Sequence, residues 1–106
     1  MTPNAHAPVA RRSVEVTNAL GFHLRPAKKF LDLAHRFESE IRVYHEGKES
    51  NGKSILELMT LAADRGSRLE LEARGIDAEA AVAALAELVQ ARFHEDDEGQ
   101  PEDPAP

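Results

Sequence analysis

Ile41-Arg42-Val43-Tyr44-His45-Glu46-Gly47-Lys48-Glu49-Ser50-Asn51 is the stretch whose reading decides the fold. Apolar and polar residues alternate from Ile41 to Glu46, the period-two pattern of a strand with one wet face. Gly47-Lys48 supplies a turn, and Lys48 to Asn51 reads as a short, weak return strand. An antiparallel hairpin in the middle of the chain calls for more strands beside it and helices to cover one face.

Both flanks supply them. Ser13-Val14-Glu15-Val16-Thr17 alternates in the same way, and Asn18-Ala19-Leu20-Gly21 breaks it. From Leu24 to Phe37 the apolar positions 24, 27, 30, 31, 34 and 37 form a helical stripe, with Lys28, Lys29, Asp32, His35 and Arg36 off it. Beyond the hairpin, Ser54 to Ala63 reads as a short helix closed by Asp64-Arg65-Gly66. Ser67 to Ala73 alternates again and ends at Gly75. Asp77 is the expected cap of a last helix running to about Phe93, with Val82, Leu85, Leu88, Val89 and Phe93 on one side.

The order is βαββαβα. Val14, Val16, Ile41, Val43, Leu69 and Leu71 would share one face of the sheet. Glu15, Arg42, Tyr44, Arg68, Glu70 and Glu72 would share the other. The expected fold is α+β: an open-faced β-sandwich, a four-stranded antiparallel sheet with three helices on one face.

The chemistry-bearing segment is Gly21-Phe22-His23-Leu24-Arg25-Pro26-Ala27. His23 precedes a helix, whose first amides and positive dipole end form a ready anion site. Arg25 adds a permanent cation with a donor fork suited to phosphate oxygens. Pro26 fits the first helical turn, where its missing donor is not needed, but disfavours helical geometry at Arg25. Lys28 and Lys29 extend the positive face. A neutral imidazole beside a phosphate-sized anion hole is a nucleophile for phosphoryl transfer. The plain alternative is a histidine used only as a cap.

The second segment is Asn51-Gly52-Lys53-Ser54-Ile55-Leu56-Glu57-Leu58-Met59. Ser54 is a natural N-cap, and Glu57 three residues on completes a capping box. A serine at a helix start is also a place where an added phosphate meets the favourable end of the dipole. Ile55, Leu56 and Met59 cannot all be core if Leu58, Leu61 and Ala62 are, so part of this helix should expose an apolar docking patch. Gly47 to Ser54 spells G-x-x-x-x-G-K-S. The domain has no room for the parallel nucleotide-binding sheet that gives this motif meaning, and it is rejected.

Composition narrows the function classes. The chain has 106 residues, 42% hydrophobic and 30% charged, one domain's worth. The net charge of -6 argues against nucleic acid. Cysteine is absent, which removes disulfides and thiolate chemistry and fits a reducing compartment. His6, His35, His45 and His94 lack metal-site spacing, so no metal is expected. No apolar run approaches a membrane span and no secretory signal is visible, so a cytoplasmic location is the default. Residues 94–106 hold six acids and no base, residues 1–12 hold Arg11 and Arg12 and no acid, and the middle is -2. The expected organisation is a flexible lead-in over 1–12, a folded domain over 13–93 and a disordered acidic tail over 94–106. The surface around His23, Arg25, Lys28, Lys29 and Lys53 is locally positive. It suits an acidic partner, with binding that weakens in salt.

Taken together, the two segments, with Gly47-Lys48, Thr60-Leu61, Gly66 and Gly75-Ile76-Asp77-Ala78 in order and spacing, resemble HPr, the histidine-containing phosphocarrier family of the bacterial sugar phosphotransferase system. The resemblance spans about residues 13–93. It implies that His23 accepts a phosphoryl group on Nδ1 from enzyme I, a phosphoenolpyruvate-dependent kinase, and passes it to a downstream carrier. It implies that Arg25 supports the phosphorylated ring and that Ser54 matches a regulatory serine modified by HPr kinase/phosphorylase. Ile55, Leu56 and Met59 match the family's docking surface, with Leu24, Lys28, Lys29 and Lys53 beside it. No cofactor is implied. The chain would be a monomeric relay rather than an autonomous enzyme. Three departures stand out. Leu24 replaces the small residue usual after the histidine. Glu57 falls where Gram-positive members often have glycine, and its carboxylate would repel a phosphate on Ser54. The acidic tail is extra to the usual domain. Two other readings remain: a regulatory, phosphorylation-dependent module of a nitrogen-type branch, and an acyl-phosphate-cleaving or ligand-sensing βαββαβ domain.

Overall fold

Alternation along four segments builds one antiparallel sheet. The computed structural model describes residues 7–95. The elements are β1 (Val9–Glu15), α1 (Leu24–Ala34), β2 (Glu40–His45), β3 (Lys48–Asn51), α2 (Ile55–Met59), β4 (Arg68–Arg74) and α3 (Ala78–Gln90), then a 3-10 turn at Arg92–His94. The strand order is β1-β4-β2-β3, with every neighbouring pair antiparallel. Val14 lies opposite Leu69, and Val43 lies between Leu71 on one side and Ser50 on the other.

The expected inner face is the observed one. Val14, Val16, Ile41, Val43, Leu69 and Leu71 are all buried. The helices close over them with Ala27, Phe30 and Ala34 from α1, Leu58 from α2, and Val82, Leu85, Leu88 and Val89 from α3. Burying a leucine or phenylalanine side chain of this kind stabilises a fold by about 2 kcal/mol.

Several expectations need correction. β1 begins at Val9, so residues 9–12 belong to the sheet rather than to a lead-in. Arg12 stands at the inward parity yet is exposed, although Ala10 and Val14 on either side of it are buried. The helix expected from Ser54 to Ala63 ends at Met59, and Ala62 adopts a positive φ of 54°. The helix expected to reach Phe37 ends at Ala34, and α1 begins at Leu24, so Arg25 is helical although Pro26 disfavours that geometry. α3 ends at Gln90, so Phe93 joins the core from the following turn rather than from the helix. Asp77 holds the N-cap position of α3 but makes no side-chain cap. Its carboxylate instead accepts from the Glu38 and Ser39 amides and the Ser39 hydroxyl, which holds it below the ordinary aspartate value. Glu72, expected on the wet face, is buried there under Arg11, Tyr44 and Arg74. His94 and Glu95, expected to start the tail, lie in and beside the 3-10 turn against the domain. Residues 96–106 lie outside the described residues.

Candidate functional site

The loop between β1 and α1 is tied at three points. Asn18 is fully buried, and its Nδ2 donates to the Gly21 carbonyl at 2.6 Å while the Gly21 amide returns a bond to the Asn18 carbonyl at 3.1 Å. Gly21 has φ +74°, and a Cβ there would sit 2.8 Å from the Ala63 carbonyl oxygen. Only glycine allows that approach. The Phe22 amide then donates to the same Ala63 carbonyl at 2.8 Å. The Phe22 ring inserts between Phe30, edge-on at 5.8 Å, and Phe93 at 5.6 Å.

These ties fix His23 as the N-cap residue of α1, in extended geometry. Its side chain makes no cap bond. The cap reading is therefore true of its backbone and false of its ring. The ring is half-buried, and Nε2 lies 3.5 Å from Glu95 Oε2. The first intrahelical bond of the turn runs from the Ala27 amide to the His23 carbonyl at 2.9 Å. The amides of Leu24 and Arg25 precede it and have no intrahelical acceptor. Pro26 occupies the first turn, buried, where no donor is required. No acidic residue lies in that turn, and Arg25 is exposed on it. Helix-start amides and the dipole thus lie beside an imidazole, with Arg25 on the same turn, an arrangement suited to a phosphoryl group.

Other expected site residues scatter. Leu24 is exposed beside His23, and Leu56 and Met59 are exposed on α2. Ile55 is instead packed against the core. Lys28 is exposed and pairs with Asp32 one turn on, at 4.0 Å. Lys29 and Lys53, expected as docking cations, direct their ammonium groups into the fold. Lys29 donates to the Phe93 carbonyl at 2.7 Å, and Lys53 to the Phe37 carbonyl at 2.6 Å. Ser54 is the N-cap of α2, its Oγ accepting from the Glu57 amide at 3.3 Å. The capping box is incomplete: Glu57 Oε1 takes the Asn51 amide at 2.8 Å, not that of Ser54. The residues between the two glycines of G-x-x-x-x-G-K-S are strand β3, so no phosphate loop exists there.

Two residues near His23 escape the sequence reading. It treats Asn18 only as a strand breaker, and nothing in the local sequence marks its side chain as the tie to the Gly21 carbonyl. It counts Glu95 with a solvated acidic run, and nothing in the local sequence marks that residue as a neighbour of His23.

Residues 10–91 match the PTS-HPr family model, described as the PTS HPr component phosphorylation site. The chain belongs to the HPr family. It is 42% identical over 85 residues to the phosphocarrier protein HPr of Neisseria meningitidis, covering 80% of this chain and 96% of that relative. It is 38% identical over 87 residues to the phosphocarrier protein NPr of Escherichia coli, covering 81% and 97%. Among solved structures it is similar to an HPr from Thermoanaerobacter tengcongensis, with a TM-score of 0.79 and 37% identity over 82% of this chain and 98% of that one. The open-faced sandwich is thus the HPr fold. The chain is a phosphocarrier of the phosphotransferase system, and its partners are components of that system. The family match stops at residue 91, before the turn that brings Glu95 to His23.

Proposed function

We propose that His23 is the residue that carries the phosphoryl group, taking it from phosphorylated enzyme I and handing it to a downstream carrier in the cytoplasm. The observation that supports this most is the ring of His23 at the start of α1, unused as a cap, with Arg25 following in the first turn. Nδ1 attacks phosphorus, the bond to the donor breaks, and the helix end and Arg25 balance the phosphoryl charge. Leu24, Leu56 and Met59, exposed and apolar, are the proposed docking residues, with Lys28 beside them. Ser54 is the proposed regulatory position, subject to the charge of Glu57. The test is to incubate the chain with enzyme I and phosphoenolpyruvate and measure its mass. An acid-labile gain of about 80 Da, one phosphoryl group, is expected. Its absence, or its survival in His23→Ala, refutes the assignment.

A second reading is a regulatory module whose phosphorylation state is read by regulators rather than sugar permeases. The similarity to carriers named NPr favours it. Capture of regulators, and not of permease components, by the phosphorylated chain would select it.

A further inference from the structure

Glu95 is held at His23 by a left-handed turn and a buried amide. The backbone turns left-handed at three successive non-glycine residues, Arg92, Phe93 and His94, with φ of 57°, 56° and 57°. Such conformations cost L residues free energy and persist only where the surroundings impose them. Here the surroundings are specific. The Phe93 side chain is fully buried against Phe22, and the Phe93 carbonyl accepts from Lys29. The strained turn delivers Glu95 next to the loop that carries His23.

The carboxylate is held by one hydrogen bond and faces the ring on its other side. Asn18 Nδ2 reaches Glu95 Oε1 at 3.2 Å, and Glu95 Oε2 faces His23 Nε2 at 3.5 Å. The Glu95 side chain is only 13% exposed, against 36% for His23. Asn18 is itself fully buried, with Oδ1 unpaired among the described residues. A buried amide is costly without partners, so its two donor bonds, to the Gly21 carbonyl and to Glu95, are what justify its place. The result is a chain Asn18–Glu95–His23, in which an oriented carboxylate faces one ring nitrogen and leaves the other to react.

We propose that Glu95 is a positioning residue for phosphoryl transfer: facing Nε2, it keeps the proton on that nitrogen and presents the Nδ1 lone pair. This rests on His23 being the phosphoryl carrier. As Nδ1 forms its bond to phosphorus, the bond between phosphorus and the donor atom breaks, and its electron pair stays with the donor. The ring keeps its Nε2 proton, and the positive charge that develops on the imidazole is met by the Glu95 carboxylate. In the onward step the N–P electron pair returns to Nδ1 as phosphorus bonds to the acceptor. The acidic run expected to be a mere solvated tail thus begins with a residue of the reaction site.

The test uses the full chain with Glu95→Ala and Glu95→Gln. Steady-state transfer from phosphorylated enzyme I is measured with the carrier as varied substrate. Loss of a charge-assisted contact predicts a kcat about tenfold lower in E95A with KM within twofold. E95Q, whose amide oxygen can still accept from Nε2–H, should fall between E95A and the parent. Ring 15N shifts of neutral, unphosphorylated His23 give an independent readout. The Nδ1–H tautomer should gain population in E95A and less in E95Q. An unchanged kcat, a rise in KM alone, or faster transfer as from a removed shield would each overturn the proposal, as would an unchanged tautomer ratio. Amide spectra confirm that each variant is folded. Should the parent chain itself take no phosphoryl group on His23, the carrier reading fails, and that failure is visible before any Glu95 variant is made.

Discussion

The ammonium of Lys29 sits 2.7 Å from the carbonyl of Phe93, joining α1 to the turn after α3. That turn carries Glu95 to His23, so a side chain with the appearance of a docking cation is an internal tether. Its neighbour Lys28 is exposed and, among the described residues, pairs with the exposed Asp32. The two should therefore part on substitution. Lys29→Met removes a charge-assisted bond to a partly buried carbonyl and should cost about 1–2 kcal/mol in urea unfolding. Lys28→Met should change stability by less than about 0.5 kcal/mol. Equal effects would mean that the Lys29 bond does not persist in solution.

Gly21 gives a second, backbone-level prediction. Its φ of +74° and the Ala63 and Asp64 backbones beside it leave no room for a Cβ. Gly21→Ala must strain the turn, shift the 63–65 segment, or both. A destabilisation of about 2 kcal/mol is expected. Because the Phe22 amide bonds to Ala63, the displacement should reach His23. Amide chemical shifts of residues 21–25 and 63–65 should move together. A variant as stable as the parent, with shifts confined to position 21, would contradict this geometry.

These residues show what the sequence can and cannot convey. Period-two alternation at Val14, Ile41, Val43, Leu69 and Leu71 reports directly on which face is buried, and it locates the sheet. It fails at Val9–Arg12, where a charged residue, the exposed Arg12, occupies an inward position and breaks the pattern. His23, Arg25 and Pro26 are legible because a helix start concentrates its signals within a few residues. Glu95 is not, because its position depends on three left-handed residues with no glycine among them. Lys29 and Lys53 mislead for a related reason: a cation's acceptor can be a backbone carbonyl far along the chain, which residue type does not reveal.

The buried carboxylate on the open face of the sheet predicts an acid-side stability effect. Burial alone pushes Glu72 up, but hydrogen bonds from Tyr44 and Arg11, with Arg74 nearby, hold it below the ordinary glutamate value. A carboxyl depressed in the folded state stabilises it at and above neutral pH. That contribution fades as pH falls from the unfolded value through the folded one. The parent should thus lose stability more steeply than Glu72→Gln below about pH 5. At pH 7 the variant should be the less stable, and the gap should narrow on acidification. Urea titrations at several pH values measure both slopes, and a gap constant from neutrality down to about pH 3 would exclude Glu72 as its source.

Ser54 and Glu57 pose a competition that a double-mutant cycle can resolve. A negative charge at Ser54 gains from the N-terminal end of α2 but meets the Glu57 carboxylate in the same first turn. Glu57 is not idle there: its Oε1 holds the Asn51 amide, which fixes it near the cap. Ser54→Asp keeps a good capping oxygen while adding charge, so any loss in that variant reports repulsion rather than a missing cap. The expected result is an unfavourable coupling of about 0.5 kcal/mol between Ser54→Asp and Glu57, relieved in the Glu57→Gln background and smaller at high salt. The cap itself is read separately from Ser54→Ala, which should cost about 1 kcal/mol. If Ser54→Asp has the same effect on stability in the parent as in the Glu57→Gln background, the carboxylate is no obstacle to a charge at this serine. Control through Ser54 would then depend on kinase recognition alone.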